Sequence, residues 1–289
     1  MFRFLILCLF VPLMLAAPAC MKLLTHGFRL SKMTLSFPFH SEWEIKGEVP
    51  PQIREILSQP YTYLDRGAQC YVFASEDDQY VIKLFRYDLS QSSPRLRPRL
   101  FSFTKKRKTN FQSKILHLFN ACKMAYDQAP LETGLVYIHL NPTAKGLPIL
   151  HCRDSLGRRY ALPLDAYRFA VQKKAEPLRK VFKDAIEAQD VKAVERRIDA
   201  FLTLLKRRTG LGIHNSDSNW SRNFGFYKEC ALEIDFGNYR KSKKLLVPAH
   251  RLKEIHRFSY PLRKWLYCNA PEYLSYFDAR LKFLEEECR

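Results

Sequence analysis

Residues 212–226 of this chain read GIHNSDSNWSRNFGF, and residues 233–239 read EIDFGNY. The first stretch is crowded with Asn, Asp and Ser, which favour turns because their short polar side chains bond to the nearby backbone. The second stretch places Asp235 at the end of an apolar run and directly before Phe-Gly. The intervening run FGFYKECALEI is long enough for a hairpin strand. The pattern therefore predicts a polar loop, a hairpin and a second acidic turn.

The composition limits the classes of protein to which this chain can belong. With 289 residues, 47% of them apolar, the chain can bury the core of one large domain or of two lobes, which excludes a disordered chain. The net charge of +19 favours anionic partners, namely nucleic acid, an acidic membrane surface or phosphorylated ligands. The positive charge lies in several runs of Lys and Arg, which are equally typical of solvent-exposed helix faces. No nucleic-acid-binding motif accompanies them, so a specific nucleic-acid partner is not expected.

The cysteines indicate no metal site. None of the eight forms a C-x-x-C pair, and Cys8 and Cys20 lie in the apolar N-terminal segment. Zinc sites of the common structural type need paired ligands at short spacing. We therefore expect isolated thiols in a reducing compartment, and the even number of cysteines leaves disulfide pairing as the alternative.

The N-terminus resembles a targeting or anchoring segment. Residues 4–21 carry no charge and are flanked by Arg3 and Lys22. This pattern is typical of a signal peptide, and its length is close to the minimum for a membrane span. A later start of translation is the remaining alternative. We predict that residues 1–21 form a signal peptide or membrane anchor and that residues 22–50 form a tether.

The order of predicted elements gives the fold class. PPQIREIL predicts a short helix opened by proline, YTYLDRGAQCYVFAS and QYVIKLFRY predict strands, and residues 105–129 predict an amphipathic helix. Four further β-runs follow: GLVYIHL, LPILHC, RRYALPL and AYRFAVQ. From Glu176 onward the pattern is helical, with proline breaks expected at Pro261 and Pro271. We predict an α+β fold with a β-rich N-lobe at 51–172 and a helical C-lobe at 173–289.

Two apolar stripes at helical spacing support the helices of this prediction. The stripe of the helix at 105–129 is formed by Phe111, Ile115, Leu118, Phe119 and Cys122. The stripe of the first long helix after Glu176 is formed by Val194, Ile198, Phe201, Leu202 and Leu205. Steps of three and four residues place each set on one face of a helix, so we expect both sets to be buried.

Five residues have the chemistry that phosphoryl transfer requires. Gly67 lies in RGAQCYVF, Lys83 lies in YVIKLF, and Asp217, Asn223 and Asp235 lie in the two stretches quoted first. Phosphoryl transfer needs a lysine for the phosphates, an amide and a carboxylate for Mg²⁺, and a carboxylate that orients the attacking hydroxyl. Each residue alone is also compatible with an ordinary strand lysine, an Asx-rich loop or a turn aspartate. Their order and spacing favour the chemical interpretation.

These motifs resemble those of the protein-kinase-like superfamily. YVIKLF is similar to the lysine strand, HNSDSNWSRNFGF to the catalytic loop and IDFG to the metal-binding DFG motif. More narrowly, residues 55–285 are similar to bacterial kinase-like proteins of the kind found in chlamydia-like organisms. The resemblance implies a bilobal kinase-like fold that uses ATP and Mg²⁺.

The resemblance also implies residue roles. Lys83 would contact the phosphates, and Asp217 would be the catalytic base. Asn223 and Asp235 would ligate Mg²⁺. The nucleotide-binding residues would be Gly67, which lets the loop approach ATP, together with Lys83 and Gln172.

The chain departs from the family pattern at several positions. The base Asp of the family stands two residues after the His and five before the Asn, whereas Asp217 is three after His214 and six before Asn223. One extra loop residue explains this, and Asn215 and Asn219 are alternative substitutes. The glycine-rich loop has one Gly.

Two further departures concern the helix and the C-terminus. The predicted helix at 105–129 has no Glu to align Lys83, and Glu132 lies just beyond it. No A-P-E sequence occurs in the 54 residues (289 − 235) after Asp235. A protein kinase normally needs a longer peptide platform, so either the acceptor is not a protein segment or another surface holds it.

The sequence therefore predicts an ATP- and Mg²⁺-dependent phosphotransferase whose acceptor, a protein or a small molecule, is unknown. A pseudokinase that binds nucleotide or acts as a scaffold is one alternative, and a basic protein that binds an anionic membrane surface is a second. Because ATP is scarce outside cells, an active enzyme implies a membrane anchor facing the cytoplasm or export into a host cell.

Overall fold

A computed structural model of the chain describes residues 24–34, 37–87 and 104–288, with only the backbone described for residues 104–111. The predicted targeting segment at 1–21, with Cys8 and Cys20, lies outside the described residues, as does the side chain of Phe111. No helix in the described part combines the length and apolar composition needed to cross a membrane. The six cysteines that the structure describes are free thiols.

The structure forms helices and strands in the order that the sequence predicts. The principal helices are Pro51–Ser58 (α1), Thr104–Gln128 (α2), Pro130–Thr133 (α3), Leu178–Glu187 (α4), Val191–Gly210 (α5), Trp220–Asn223 (α6), Pro248–Asn269 (α7) and Leu274–Glu287 (α8). The strands are Tyr61–Arg66 (β1), Cys70–Ser75 (β2), Tyr80–Phe85 (β3), Leu135–His139 (β4), Ile149–Arg153 (β5), Arg159–Pro163 (β6), Phe169–Lys173 (β7), Glu176–Pro177 (β8), Ile213–Asn215 (β9), Phe224–Tyr227 (β10), Cys230–Glu233 (β11) and Tyr239–Lys241 (β12). The predicted α+β fold class, a β-rich part followed by a helical part, is confirmed.

Most strands belong to one seven-stranded sheet with the order β4-β7-β3-β2-β1-β5-β6. The run YTYLDRGAQCYVFAS forms two antiparallel strands, β1 and β2, on either side of Gly67. A register shift between Tyr63 and Asp65 marks a bulge in β1. Alternate residues of β2, including Tyr71 and Phe73, are fully buried, as the period of a strand requires.

The chain divides into two compact units. Unit 1 is made of residues within 1–98 and 139–171, and unit 2 of residues within 99–138 and 172–289. Residues 104–138, which the predicted boundaries place in the N-lobe, belong to unit 2 in this division. Unit 1 holds β1, β2, β3, β5 and β6, whereas the helices α4, α5, α7 and α8 all belong to unit 2.

The core of unit 2 is an apolar cluster contributed chiefly by α4, α5, α7 and α8. The predicted stripe of α5 is confirmed, since its five residues from Val194 to Leu205 are at most 2% exposed. Within α2, the members of the predicted stripe whose side chains are described, from Ile115 to Cys122, are also buried. Asp190 caps α5 by accepting a hydrogen bond from the backbone N–H of Ala193 at 2.9 Å.

The predicted break at Pro261 is wrong, because α7 continues through it from Pro248 to Asn269. Proline removes one backbone donor and crowds the preceding turn, which costs a helix about 3 kcal/mol. Phe258, Leu262 and Leu266, on either side of Pro261, are completely buried. Their burial offsets the local cost, since each large apolar side chain contributes about 1.5–3 kcal/mol. At Pro271 the helix has ended, as predicted, and a short 3-10 turn begins.

Candidate functional site

The polar loop of residues 216–219 lies between β9 and α6 in unit 2. Two consecutive Asx turns shape it: Asn215 Oδ1 accepts from the Asp217 N–H at 2.9 Å, and Asp217 Oδ1 accepts from the Asn219 N–H at 3.0 Å. Asp217 is partly exposed. The loop thus holds Asp217 in a defined position and leaves its carboxylate accessible.

Asn223 connects this loop to the following hairpin. Its side chain is buried, and Nδ2 donates to the backbone oxygen of Asp217 at 3.3 Å. Its own backbone oxygen accepts from the N–H groups of Ile234 at 2.7 Å and Asp235 at 3.4 Å. The Asn223 side-chain oxygen, Oδ1, accepts no hydrogen bond from any described residue.

The hairpin formed by β10 and β11 explains why Asn223 and Asp235 are adjacent. The strands pair from Phe224 with Glu233 to Tyr227 with Cys230, so the residues just outside the first pair emerge side by side. At Gly225 a Cβ atom would lie 2.5 Å from the backbone oxygen of Glu176 on β8, so this close strand contact requires glycine.

Asp235 is fixed through both its backbone and its side chain. Its backbone oxygen accepts from Asn215 Nδ2 at 3.3 Å, and its Oδ1 accepts from the Gly237 N–H at 3.2 Å. The structure therefore brings together Asp217, Asn223 and Asp235, three residues that the sequence analysis selected. The common link is Asn215, which bonds to both aspartates.

A buried ion-pair network lies beneath the loop. Arg208 of α5 and Glu233 of β11 are both completely buried, and Arg208 Nη1 donates to the two Glu233 oxygens at 2.9 and 3.1 Å. Glu233 also accepts from Asn215 Nδ2 at 2.8 Å and from the Tyr239 hydroxyl at 2.8 Å. Four donor contacts on one carboxylate fix β9, β11 and β12 relative to α5.

Glu254 of α7 extends this network to the loop backbone. Its Oε1 accepts from Arg208 Nη2 at 3.3 Å and from the Asn215 N–H at 3.3 Å, and it lies 3.1 Å from His214 Nδ1. Arg257, one turn further along α7, pairs with Glu254 and donates to the backbone oxygen of Asn215. The strand that leads into the loop is therefore held on both sides by charged groups.

Burial sets the protonation behaviour of this network. It raises the pKa of Glu233, and the charge of Arg208 and the hydrogen bonds from Tyr239 and Asn215 oppose that rise. The pKa of Tyr239 is raised well above its ordinary value, first by burial and then by the Glu233 charge. Tyr239 is therefore a neutral donor to Glu233 at every physiological pH.

Two side-chain oxygen atoms of this site accept no hydrogen bond and are of the type that binds a divalent cation. Neither Asn223 Oδ1 nor Asp235 Oδ2 accepts a hydrogen bond within the described part of the chain, and both belong to residues joined by backbone bonds. Mg²⁺ prefers oxygen ligands and takes only one or two carboxylates from protein. No cluster of three or more His, Cys, Asp or Glu that could hold a metal occurs in the described ranges. The unbonded oxygens of Asn223 and Asp235 are of the type that Mg²⁺ prefers.

The other predicted site residues, Lys83, Gly67 and Gln172, lie outside this loop and hairpin. Lys83 lies on β3 in unit 1 between the buried side chains of Ile82 and Leu84. Gly67 lies in the β1–β2 turn of the same unit. Gln172, in unit 2, is 1% exposed, and its Nε2 donates to the backbone oxygen of Thr133 at 2.5 Å. Glu132 is buried and pairs with Arg207 at 3.0 Å.

Sequence reasoning missed Arg208, Glu233 and Glu254. A usable signal existed for Arg208, because it stands three residues after Leu205 and so falls on the apolar stripe of α5. A charged residue at such a position is rarely buried unless it is paired. No comparable signal singled out Glu254, whose role depends on how α7 packs against α5.

Comparisons with known proteins give only distant similarities. No protein-family model matches the chain, and no curated protein sequence matches it. A solved structure of WbdD with the kinase inhibitor LY294002 is 18% identical, covering 76% of this chain and 45% of WbdD, with a TM-score of 0.35. A structure of the bifunctional kinase-methyltransferase WbdD is 17% identical, covering 74% and 43%, with a TM-score of 0.33.

The ROP18 kinase domain, in complex with AMP-PNP and sucrose, is 14% identical to this chain, covering 68% of it and 61% of that domain, with a TM-score of 0.34. This chain thus spans less than half the length of WbdD. TM-scores below 0.5 are too low to assign the fold or the activity of either protein to it.

Proposed function

We propose that this chain is an ATP- and Mg²⁺-dependent phosphotransferase of protein-kinase-like fold. The observation that carries this proposal is a set of hydrogen bonds: Asn215 bonds to both Asp217 and Asp235, and Asn223 bonds to the backbone oxygen of Asp217. Phosphoryl transfer requires an accessible carboxylate beside an amide–carboxylate metal site, and these residues supply both. The order of elements agrees, since Lys83 lies on the third strand and is followed by the long helix α2.

The roles follow from the environment of each side chain. Asp217, accessible in its loop, accepts the proton of the attacking hydroxyl. Asn223 and Asp235 would hold Mg²⁺, and the bound ion would neutralise phosphate charge. Lys83 contacts the phosphates, and Gly67 and Gln172 contact the nucleotide. The narrower resemblance to bacterial kinase-like proteins belongs to the same proposal.

Nucleotide binding to the full chain is tested first by thermal unfolding with ATP and Mg²⁺. At about a hundredfold excess over Kd, a ligand specific for the folded state adds roughly 2.7 kcal/mol. For a chain of this size that corresponds to about 2–4 °C per kcal/mol. The absence of any shift at millimolar Mg-ATP, with folded protein present, would exclude a nucleotide site.

The assigned roles are separated by three variants. Asp217→Ala should reduce phosphate release by about 10²–10⁴-fold while ATP binding persists, because only the base is lost. Asp235→Asn should bind ATP without the Mg²⁺ dependence of the wild type, since the amide keeps the shape and loses the charge. Asp278→Asn makes the same change in an exposed ion pair with Arg263 and should leave both properties unaltered. Equal turnover by Asp217→Ala and wild type would contradict the assignment of the base.

The alternative is a pseudokinase that binds nucleotide or acts as a scaffold. Two observations favour it: the Gln172 amide is engaged by Thr133, and the Glu132 carboxylate pairs with Arg207. Under this alternative Mg-ATP stabilises the chain, and neither wild type nor any variant turns it over.

The acceptor and the location are proposed only in general terms. The acceptor is a protein or a small molecule. We propose that the segment at 1–21 anchors the chain at a membrane facing the cytoplasm or directs its export into a host cell. Binding of the basic chain to anionic vesicles, weakened by salt, would support the membrane alternative.

A further inference from the structure

The solvent-facing side of α7 carries a row of basic and aromatic side chains. Because successive residues of an α-helix are rotated by about 100°, six exposed residues of α7 fall within an arc of about 80°. They are Ala249, Lys253, His256, Tyr260, Lys264 and Tyr267, which we call the α7 stripe. Ile255, Phe258 and Leu262 bury the opposite side of the helix in the core of unit 2, so the stripe is the side of α7 that is left for a partner.

Two large aromatic rings of the stripe are open to solvent. Tyr260 is 61% exposed and Tyr267 is 65% exposed. Neither hydroxyl forms a hydrogen bond with any described residue, and neither ring packs against a described ring. A tyrosine has an apolar ring and a polar end, so tyrosines are enriched where an apolar phase meets water. Two such rings on one face of a helix therefore indicate an interaction surface.

The lysines of the stripe have no acidic partner. Lys253 and Lys264 are exposed and form no hydrogen bond or ion pair within the described part of the chain. On α4, by contrast, both Lys180 and Lys183 form ion pairs with carboxylates four residues away. The stripe therefore presents positive charge that the described fold does not neutralise.

The acidic groups beside the stripe are already paired. His256 Nε2 lies 2.8 Å from Glu285 of α8, and Arg263 Nε of α7 donates to Asp278 of α8 at 2.7 Å. The surrounding sequence is basic as well, since residues 236–271 contain nine Lys and Arg but only one acidic residue, which is buried in the ion-pair network of α7. A surface of this charge attracts an anionic partner.

An exposed apolar pair directly precedes α7. Leu246 is 67% exposed and Val247 is 50% exposed, and the exposed Lys243 and Lys244 come just before them. Basic residues together with tyrosine and aliphatic side chains are typical of protein surfaces that lie on the headgroups of an anionic bilayer. Lysine suits such a surface because its charge reaches the phosphates while its apolar stem lies along apolar groups.

We propose that the α7 stripe is the surface by which this chain contacts an anionic lipid bilayer. Lys253 and Lys264 contact the headgroup phosphates, and the rings of Tyr260 and Tyr267 enter the interfacial layer. The stripe extends for about 27 Å along the helix, which suits a planar partner. A single-stranded nucleic acid fits less well, because it stacks successive bases on aromatic rings, whereas the two tyrosines are about 10 Å apart along the helix.

This inference rests on the membrane location proposed above and names the contacting surface. It does not depend on the proposed phosphotransferase site, since no residue of the stripe belongs to the loop of Asp217 or to the hairpin that follows. Variants of the stripe should therefore keep the Mg-ATP response of the wild type, so the failure of one proposal is distinguishable from the failure of the other.

The test is co-sedimentation of the full-length protein with two kinds of vesicle, phosphatidylcholine alone and a mixture of phosphatidylcholine with phosphatidylglycerol. We expect stronger binding to the mixed vesicles, and we expect this preference to fall with added salt. Insertion of the apolar segment at 1–21 would not distinguish the two kinds of vesicle, so the ratio of their binding constants reports the charge-dependent contact. Equal binding to both kinds of vesicle would overturn the proposal.

The variants locate the contact on the stripe. The double variant Lys253→Gln with Lys264→Gln should weaken binding to mixed vesicles about 25-fold, since each lysine at the surface contributes about fivefold. The matched control, Lys180→Gln with Lys183→Gln on α4, removes the same net charge from exposed sites and should bind like the wild type. Tyr260→Ser with Tyr267→Ser should weaken binding without changing its salt dependence, because no charge is removed.

Two further outcomes would also overturn the proposal. An equal loss of binding in the two double-lysine variants would show that only the total charge of the chain matters. Binding of a single-stranded oligonucleotide that requires Lys253 and Lys264, without any preference for mixed vesicles, would assign the stripe to nucleic acid. Unfolding temperatures of all variants close to that of the wild type would establish that the changes in binding do not come from loss of the fold.

Discussion

The structure gives a steric reason for glycine at position 225 but none at position 67. Gly225 is required by the fold, because a Cβ there would collide with a backbone oxygen. At Gly67 an added Cβ would meet its nearest neighbour, Cys70 Sγ, at 3.5 Å, which is an ordinary contact. The described fold thus gives no steric reason for glycine at position 67. The proposed approach of the β1–β2 turn to a nucleotide would give a reason for glycine at this position.

The different surroundings of Gly67 and Gly225 lead to a prediction for their alanine variants. Gly67→Ala should leave the unfolding temperature close to that of wild type and weaken ATP binding. Gly225→Ala should be destabilised by about 1–3 kcal/mol, as expected for an overpacked backbone contact. Thermal unfolding of both variants, with and without Mg-ATP, measures the two effects. A large loss of stability in Gly67→Ala, or unchanged ATP affinity, would contradict the prediction.

At the scale of elements, the buried pair of Arg208 and Glu233 joins helix α5 to hairpin strand β11. Removing one member of an isolated buried pair costs about 3–5 kcal/mol. Arg208 also contacts Glu254 at 3.3 Å, so this range is the upper limit for loss of the Glu233 charge. Glu233→Gln should therefore lower the unfolding temperature by roughly 2–4 °C for each of these kcal/mol. Glu229→Gln is the matched control, because its ion pair with Arg196 at 3.6 Å is highly exposed and contributes at most about 1 kcal/mol. Equal effects of the two variants would mean that the buried pair does not hold these elements together.

Pro261 destabilises helix α7 locally, and the burial of neighbouring side chains offsets this cost. Replacing Pro261 by alanine restores a backbone donor in the middle of the helix and should stabilise the protein, by up to about 3 kcal/mol. Pro248→Ala is the control, since proline at the first helical position leaves no intrahelical hydrogen bond unmade and its removal should gain nothing. Chemical denaturation of both variants measures the difference. A destabilised Pro261→Ala would show that the proline ring itself is an essential packing group.

At the scale of the whole molecule, we expect stability to depend on pH through two histidines whose pKa values are lowered chiefly by burial. His139 in unit 1 is 4% exposed and has a lowered pKa, chiefly because of burial, against the opposing effects of Asp165 and Glu44. A histidine with a lowered folded-state pKa contributes stability that is complete above its unfolded value of about 6.5 and is lost as the pH falls below it. The pKa of His117 in unit 2 is lowered in the same direction, by burial and then by Arg240.

Acidification from pH 7.5 to 5.5 should therefore destabilise the protein, by at most about 1.4 kcal/mol per pH unit for each histidine. His139→Gln should show a shallower pH dependence than wild type, because glutamine does not ionise. The exposed His250→Gln should keep the wild-type dependence. Comparing pH slopes rather than absolute stabilities removes contributions from other groups, including Glu233. Identical slopes for His139→Gln and wild type would contradict the assignment.

The sequence alone determined which elements form and where the reactive side chains stand along them. Periodic apolar residues predicted α2 and α5, and turn residues predicted the loop of Asp217 and the hairpin before Asp235. Such signals are local, because they depend on the period of a helix or strand and on side-chain bonds to the neighbouring backbone. The α+β fold class followed from the order of these elements.

Only the tertiary structure decided which side chains pack against these elements. The burial of Arg208 with Glu233 and Glu254 depends on residues far apart in the chain that packing brings together. The continuity of α7 through Pro261 was decided in the same way, because burial on both sides outweighs a local preference. Local patterns cannot report these outcomes, since the free energy of a buried charge or helix depends on partners that the surrounding sequence does not name.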